Sequence, residues 1–141
     1  MMPLRPRAKK PAMKVLVVRQ PWAWLIVNGF KDIENRSWRT RYEGKLLIQA
    51  GAARPAAAAL HEARSLARKH GVELPDEFER GGVIGMVHLE RCVTSSPSKW
   101  FHGPIGWVLS NARKIPFIPL KGQLGLFDPP RKATNKLRGL K

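Results

Sequence analysis

Six side chains able to bind or transfer something fall within one short stretch: Lys31, Asp32, Glu34, Asn35, Arg36 and Trp38. Two chemistries suit them. An arginine fork matches a phosphate, an asparagine amide reads a base edge, and an indole face stacks on a base for roughly 1–3 kcal/mol. Lys31 and Glu34 could also form a general acid/base pair: desolvation moves a lysine toward neutral, whereas a nearby carboxylate keeps it charged, and the sequence leaves both directions open. A metal-independent ribonuclease activates a 2′-hydroxyl with one such group and protonates the leaving oxygen with another, and His88 or Glu90 could join Lys31 and Glu34 in that task. The bland alternative makes the stretch a solvated strand end and His88 a core histidine. Arg19, Gln20, Trp22 and Trp24 lie close by in sequence and tilt the reading toward a ligand cleft, with Lys121 as a further cation.

The negative findings narrow the chemistry. Cys92 has no metal-spaced partner, and His61, His70, His88 and His102 form no ligand pattern. No metal and no cofactor is expected. Neither a G-x-x-x-x-G-K-[ST] loop nor a G-x-G-x-x-G turn is present, so phosphate-loop hydrolysis and dinucleotide binding lack support.

The elements that must position these residues follow from periodicity. Lys14 to Arg19 is a β-branched run that reads as a buried strand. Pro21 opens a short helix whose Trp22, Leu25 and Ile26 share one stripe, ended by Gly29. Trp22 is therefore expected in the core, and Trp24 off the stripe. Strands follow at 32–38, where alternation sends Glu34, Arg36 and Trp38 to one face, and at 45–50. Pro55 opens the longest helical pattern, with Leu60, Ala63, Leu66 and Ala67 on one face and Gly71 at its end. A loop over 72–80 leads to a strand at 83–93. Two short strand candidates come next, around Ile105–Leu109 and Ile115–Ile118, where Pro116 and Pro119 imply an edge or an irregular path. Trp107 reads as core. Trp100 and Phe101 stand in a loop, where exposed aromatics are costly unless they cover a cleft or meet a partner.

The chain has 141 residues, enough for one core. Twenty-six basic residues against ten acidic ones give a formal charge of +16, which makes polyanions the natural partners. Residues 1–13 hold four cations and 129–141 five, without an acid in either, so the remainder carries 17 − 10 = +7. Both ends are expected to be disordered basic tails flanking a domain at 14–128. A lone cysteine and the lack of a long apolar run or secretion signal point to a cytoplasmic protein without membrane contact. A monomer is expected.

From Arg19-Gln20-Pro21-Trp22-Ala23-Trp24 through Lys31-Asp32-Ile33-Glu34-Asn35-Arg36-Ser37-Trp38, the sequence resembles the ASCH family. The likeness continues at Gly44–Ala50, Gly82–Val87, Gly106–Leu109 and Lys121-Gly122-Gln123-Leu124-Gly125-Leu126-Phe127, covering about 14–128. It implies an α+β fold, a small PUA-like mixed β-barrel with two or more helices packed on it, and a cleft lined by the Lys31-x-x-Glu34-x-Arg36 segment. Some members of the family bind nucleic acid, others resemble ribonucleases, and one bacterial branch hydrolyses the acetyl amide of N4-acetylcytidine. That branch follows a lysine, matched by Lys31, with a threonine nucleophile three residues on, where this chain has Glu34. The departure removes the nucleophile. The reading is thus an RNA-binding or single-stranded nucleic-acid-binding domain whose cleft takes a nucleotide or nucleoside through Arg19, Gln20, Trp24, Lys31, Glu34, Asn35, Arg36, Trp38 and Lys121. The alternative is an enzyme, a ribonuclease or modified-nucleoside hydrolase with Lys31, Glu34 and His88 as its catalytic groups.

Overall fold

A computed structural model describes residues 13–140. The expected N-terminal tail lies almost wholly outside them; its last residue, Met13, already begins a strand. In chain order the elements are β1 (Met13–Val18), α1 (Trp22–Val27), β2 (Ile33–Arg36), β3 (Gly44–Ala50), α2 (Ala57–Lys69), β4 (Gly82–Val93), β5 (Ile105–Pro119), β6 (Leu126–Phe127) and α3 (Arg131–Arg138). The six strands form one mixed sheet in the order β2-β5-β4-β3-β1-β6. Only β1 and β3 run parallel; the other pairs are antiparallel.

The sheet curls into a half-barrel, the PUA-like α+β architecture that the family resemblance implied. One polar link spans its gap. β2 and β1 are not neighbours in the sheet, yet the Arg36 guanidinium donates from Nη2 to the Val17 carbonyl at 2.8 Å. A side chain thus bridges two strands whose backbones never pair.

Helix α1 packs inside the curl. Ala23, Leu25, Ile26 and Val27 are buried, and Ile26 and Val27 share a core with Leu16, Leu46, Ile48, Val87 and Trp107. The approach to β4 is close because Gly85 has no side chain: a Cβ there would stand 2.6 Å from Val27 and from the Arg113 carbonyl oxygen. Gly29 leaves the helix at φ 81°, the left-handed exit expected of it. In α2, Ala63 and Ala67 are buried and Leu66 is exposed, so the helix rests on its small residues.

Two expectations need correction. The pair of short strands before Pro119 is one continuous strand, β5, whose pairing with β4 slips three times; the slip between Val83↔Ile118 and Gly85↔Lys114 accommodates Pro116 without a break. The stretch from 129 onward is not wholly irregular, since α3 occupies Arg131–Arg138. Ala133, Leu137 and Leu140 fall at i, i+4 and i+7 and join an apolar cluster with Val15, Leu47 and Met86, and that docking outweighs the polarity of the segment.

Candidate functional site

The half-barrel's gap opens into a cleft of about 870 Å³. Its floor is Lys31, Glu34, Asn35 and Arg36, on and just before β2. One wall is the end of β1 from Leu16 to Arg19 with Trp22 of α1. The other is the loop Lys99–His102, with Leu66 of α2 and the loop Gly122–Gly125 at the rim. Four lining residues are cationic (Arg19, Lys31, Arg36, Lys99) and one is acidic (Glu34), a formal surplus of 4 − 1 = +3. Trp22, Trp100 and Phe101 supply flat apolar surface, and the rim carries two exposed leucines, Leu66 and the fully exposed Leu124.

On the floor, Glu34 is the hub. Its Oε1 accepts from Lys31 Nζ at 3.2 Å and its Oε2 from Arg36 Nε at 3.0 Å; Lys31 also donates to the Ile33 carbonyl. The Lys31 and Glu34 side chains are 5% and 10% exposed, so the pair is held largely away from water. Burial pulls the Lys31 ammonium below its ordinary value, while the Glu34 carboxylate opposes that shift. Two cations on one carboxylate leave one positive charge uncompensated. The triad therefore gives a positive floor held in place by hydrogen bonds within the protein.

Asn35 does something else. Its Nδ2 donates to the Trp100 carbonyl at 3.0 Å, and its Oδ1 accepts from the backbone amides of His102 and Gly103, each at 3.0 Å. Ser98 adds a hydrogen bond to Asp32 at 2.6 Å. Together they clamp the aromatic loop against β2, which is why Trp100 is buried at the wall instead of splayed into solvent.

The sequence pattern of the ASCH domain matches residues 16–118. This chain belongs to that family. Over 87 residues it is 38% identical to human activating signal cointegrator 1, a match covering 60% of this chain and 15% of the human protein. The mouse protein of the same name is 38% identical over 82 residues, covering 56% of this chain and 14% of the mouse protein. The chain thus spans only about a seventh of the length of these relatives. The structure is similar in fold to the ASCH protein of Zymomonas mobilis at a TM-score of 0.56 and 18% identity, with 91% of this chain and 94% of that one superposed. ASCH domains as a family are linked to RNA binding.

Of the residues singled out in the sequence, this ASCH domain brings Arg19, Lys31, Glu34, Asn35 and Arg36 to the cleft. Gln20 is buried: it accepts from the Trp24 amide at 2.9 Å and donates to the Glu79 carbonyl at 2.8 Å, a structural pin outside the lining. Trp24 stacks on Phe30 at 5.7 Å, and Trp38 sets its ring against Trp107 at 4.8 Å; neither lines the cleft. β2 ends at Arg36, so the alternation expected to carry Trp38 to the face of Glu34 stops one residue pair early. Lys121 is exposed, immediately before the lining residue Gly122. His88 lies on β4 outside the lining, with its Nε2 4.0 Å from Glu90, whose carboxylate in turn accepts from Ser110. The ASCH domain therefore does not gather Lys31, Glu34 and His88 in one cleft.

Trp22, expected in the core, is half-buried and faces the cleft. Lys99, His102, Leu66 and Leu124 were not anticipated as site residues. The signal for the loop was partial: two aromatics in a polar segment implied cover for a cleft, and Trp100 and Phe101 provide it. For Leu66, an apolar residue on the stripe of α2 resembled core, and only its exposure reveals otherwise.

Proposed function

We propose that the cleft binds a base or nucleotide of single-stranded nucleic acid, RNA in the first place, and that this is the domain's primary role. One observation carries the reading: a cleft of about 870 Å³ combines a +3 surplus with aromatic walls, so phosphate and base each meet a matching surface. Exposed Arg19 and Lys99 at the mouth suit phosphates, while Trp22 offers a stacking face. The Lys31-Glu34-Arg36 floor supplies positive potential without moving. The test is the affinity for a single-stranded RNA oligonucleotide at two salt concentrations, with Trp22→Ala alongside. Affinity should fall as salt rises, and loss of one stacked base should weaken binding roughly 5- to 150-fold. An affinity indifferent to both changes sinks the reading.

A second reading, turnover of bound RNA or of a modified nucleoside by Lys31 and Glu34, is favoured by the burial that pulls Lys31 toward its neutral form. Product formation at high protein concentration that disappears in Lys31→Ala, with binding retained, would support it. Intact RNA and intact acetylated cytidine after prolonged incubation would rule it out.

A further inference from the structure

Helix α3 begins beyond residue 118, where the family match ends. Its apolar stripe fixes its rotation: Ala133 is fully buried, and Leu137 and Leu140 pack with it against the cluster that holds Val15 and Leu47. Arg131, Lys132, Lys136 and Arg138 are consequently all exposed. Among the described residues, none of the four has an acid within ion-pair distance, in contrast to Lys14, which meets Asp128 at 2.7 Å, and Arg68, which meets Glu73 at 3.0 Å.

Lys136 and Arg138, in the last turn, suit the helix dipole, but the start of the helix is unfavourable. Arg131 and Lys132 occupy the first turn, where the dipole is positive and an acid would be favoured, and no acid stands there. Lys132 and Lys136 are like charges at i and i+4. Apolar docking holds the four cations on the exposed side of the helix as two pairs, Arg131 with Arg138 and Lys132 with Lys136, roughly 130° apart around the axis, and a polyanion laid along the helix would relieve the repulsion between the two lysines. Arg131 and Arg138 lie roughly 10 Å apart along the axis, at about 1.5 Å per residue.

The apolar surface on which α3 docks adjoins the cleft. Val17 lines the cleft and also packs against the cluster under α3, and only residues 126–130 separate the rim at Gly125 from Arg131. We propose that α3 is a phosphodiester-binding ridge continuous with the cleft, holding the backbone of a single-stranded nucleic acid whose base the cleft accepts. This deepens the cleft reading and rests on it.

The decisive comparison uses the full chain and the variant R131Q/K132Q/K136Q/R138Q. Glutamine retains helix propensity, so thermal unfolding should be unchanged or slightly higher. With a single-stranded RNA of about a dozen nucleotides, the slope of log affinity against log salt should become shallower by about 2 to 3, because each phosphate left without its cation lowers the slope by roughly 0.7. Affinity for cytidine and adenosine 5′-monophosphate should not change, because a mononucleotide does not reach the helix. Arg131→Lys with Arg138→Lys should preserve the wild-type slope. A quadruple variant with the wild-type slope overturns the ridge and leaves the cleft reading intact. Mononucleotide binding that survives Trp22→Ala undiminished sinks the cleft reading but not a slope lost on α3. Quadruple-variant protein that loses binding to phosphatidylserine vesicles while its RNA slope stays put reassigns the helix to a membrane surface, and overturns the proposal as well.

Discussion

Replacing Glu34 with glutamine tests the electrostatics of the cleft floor most directly. Glutamine keeps the shape but removes the charge that Lys31 Nζ and Arg36 Nε share at 3.2 and 3.0 Å, and turns an amide donor toward one of them. Breaking a buried pair by deleting one partner costs about 3–5 kcal/mol. The lower end applies here, because the Arg36 side chain is 24% exposed and recovers some hydration, whereas Lys31 at 5% recovers little. About 3 kcal/mol corresponds to a fall in Tm on the order of 10 °C. The loss should also depend on pH with a definite sign. Burial already holds the Lys31 value below its ordinary 10.5, and Glu34 is the main influence raising it, so the variant's lysine drops further. The folded state then binds fewer protons than the unfolded state between the lowered value and 10.5, and stability rises with pH across that window by up to about 1.36 kcal/mol per unit. Wild type has the same sign over a narrower window, so the gap between the two proteins should close as pH rises. Urea unfolding of both at about pH 6, 8 and 9.5 measures this. A gap under about 1 kcal/mol near neutrality, or one that is constant with pH, would refute the account of a desolvated lysine held charged by Glu34.

Asn35→Ala removes three hydrogen bonds that clamp the aromatic loop to β2. At about 0.5–1.5 kcal/mol each, it should cost roughly 2–4 kcal/mol, speed hydrogen exchange at the His102 and Gly103 amides, and weaken nucleotide binding; unchanged exchange there would contradict the clamp. Gly85→Ala sets a methyl group 2.6 Å from Val27 and from the Arg113 carbonyl oxygen. It should cost at least about 2 kcal/mol by overpacking α1 against β4, and a neutral thermal melt would show that the helix sits more loosely than described.

The strand and helix segments around the site were legible because each has its own period. Val15 to Val18 is β-branched but for Leu16, Leu25 and Ile26 recur on one side of α1, and Gly29 marks the exit of that helix. The concentration of Lys31, Glu34, Asn35 and Arg36 was legible as well, since a short strand keeps sequence neighbours together in space. Which of them meet solvent, ligand or one another was not. Periodicity says only that a residue lies on one face or the other of its own element. Gln20 became an internal pin and Asn35 a loop anchor because their partners, Glu79 and Trp100, are 59 and 65 residues away. Lys99, Trp100, Leu66 and Leu124 come to the cleft through the order of strands and the docking of α2, neither of which any local window contains. Helix α3 shows the same division: its residues alone are polar enough to stay unfolded, and it forms because β1 and β3, far earlier in the chain, offer Val15 and Leu47 as a surface for Ala133 and Leu137. Composition and spacing thus determined the charge, the elements and the family signature, while the tertiary structure decided the cleft, since long-range contacts and not local preference bring its walls together.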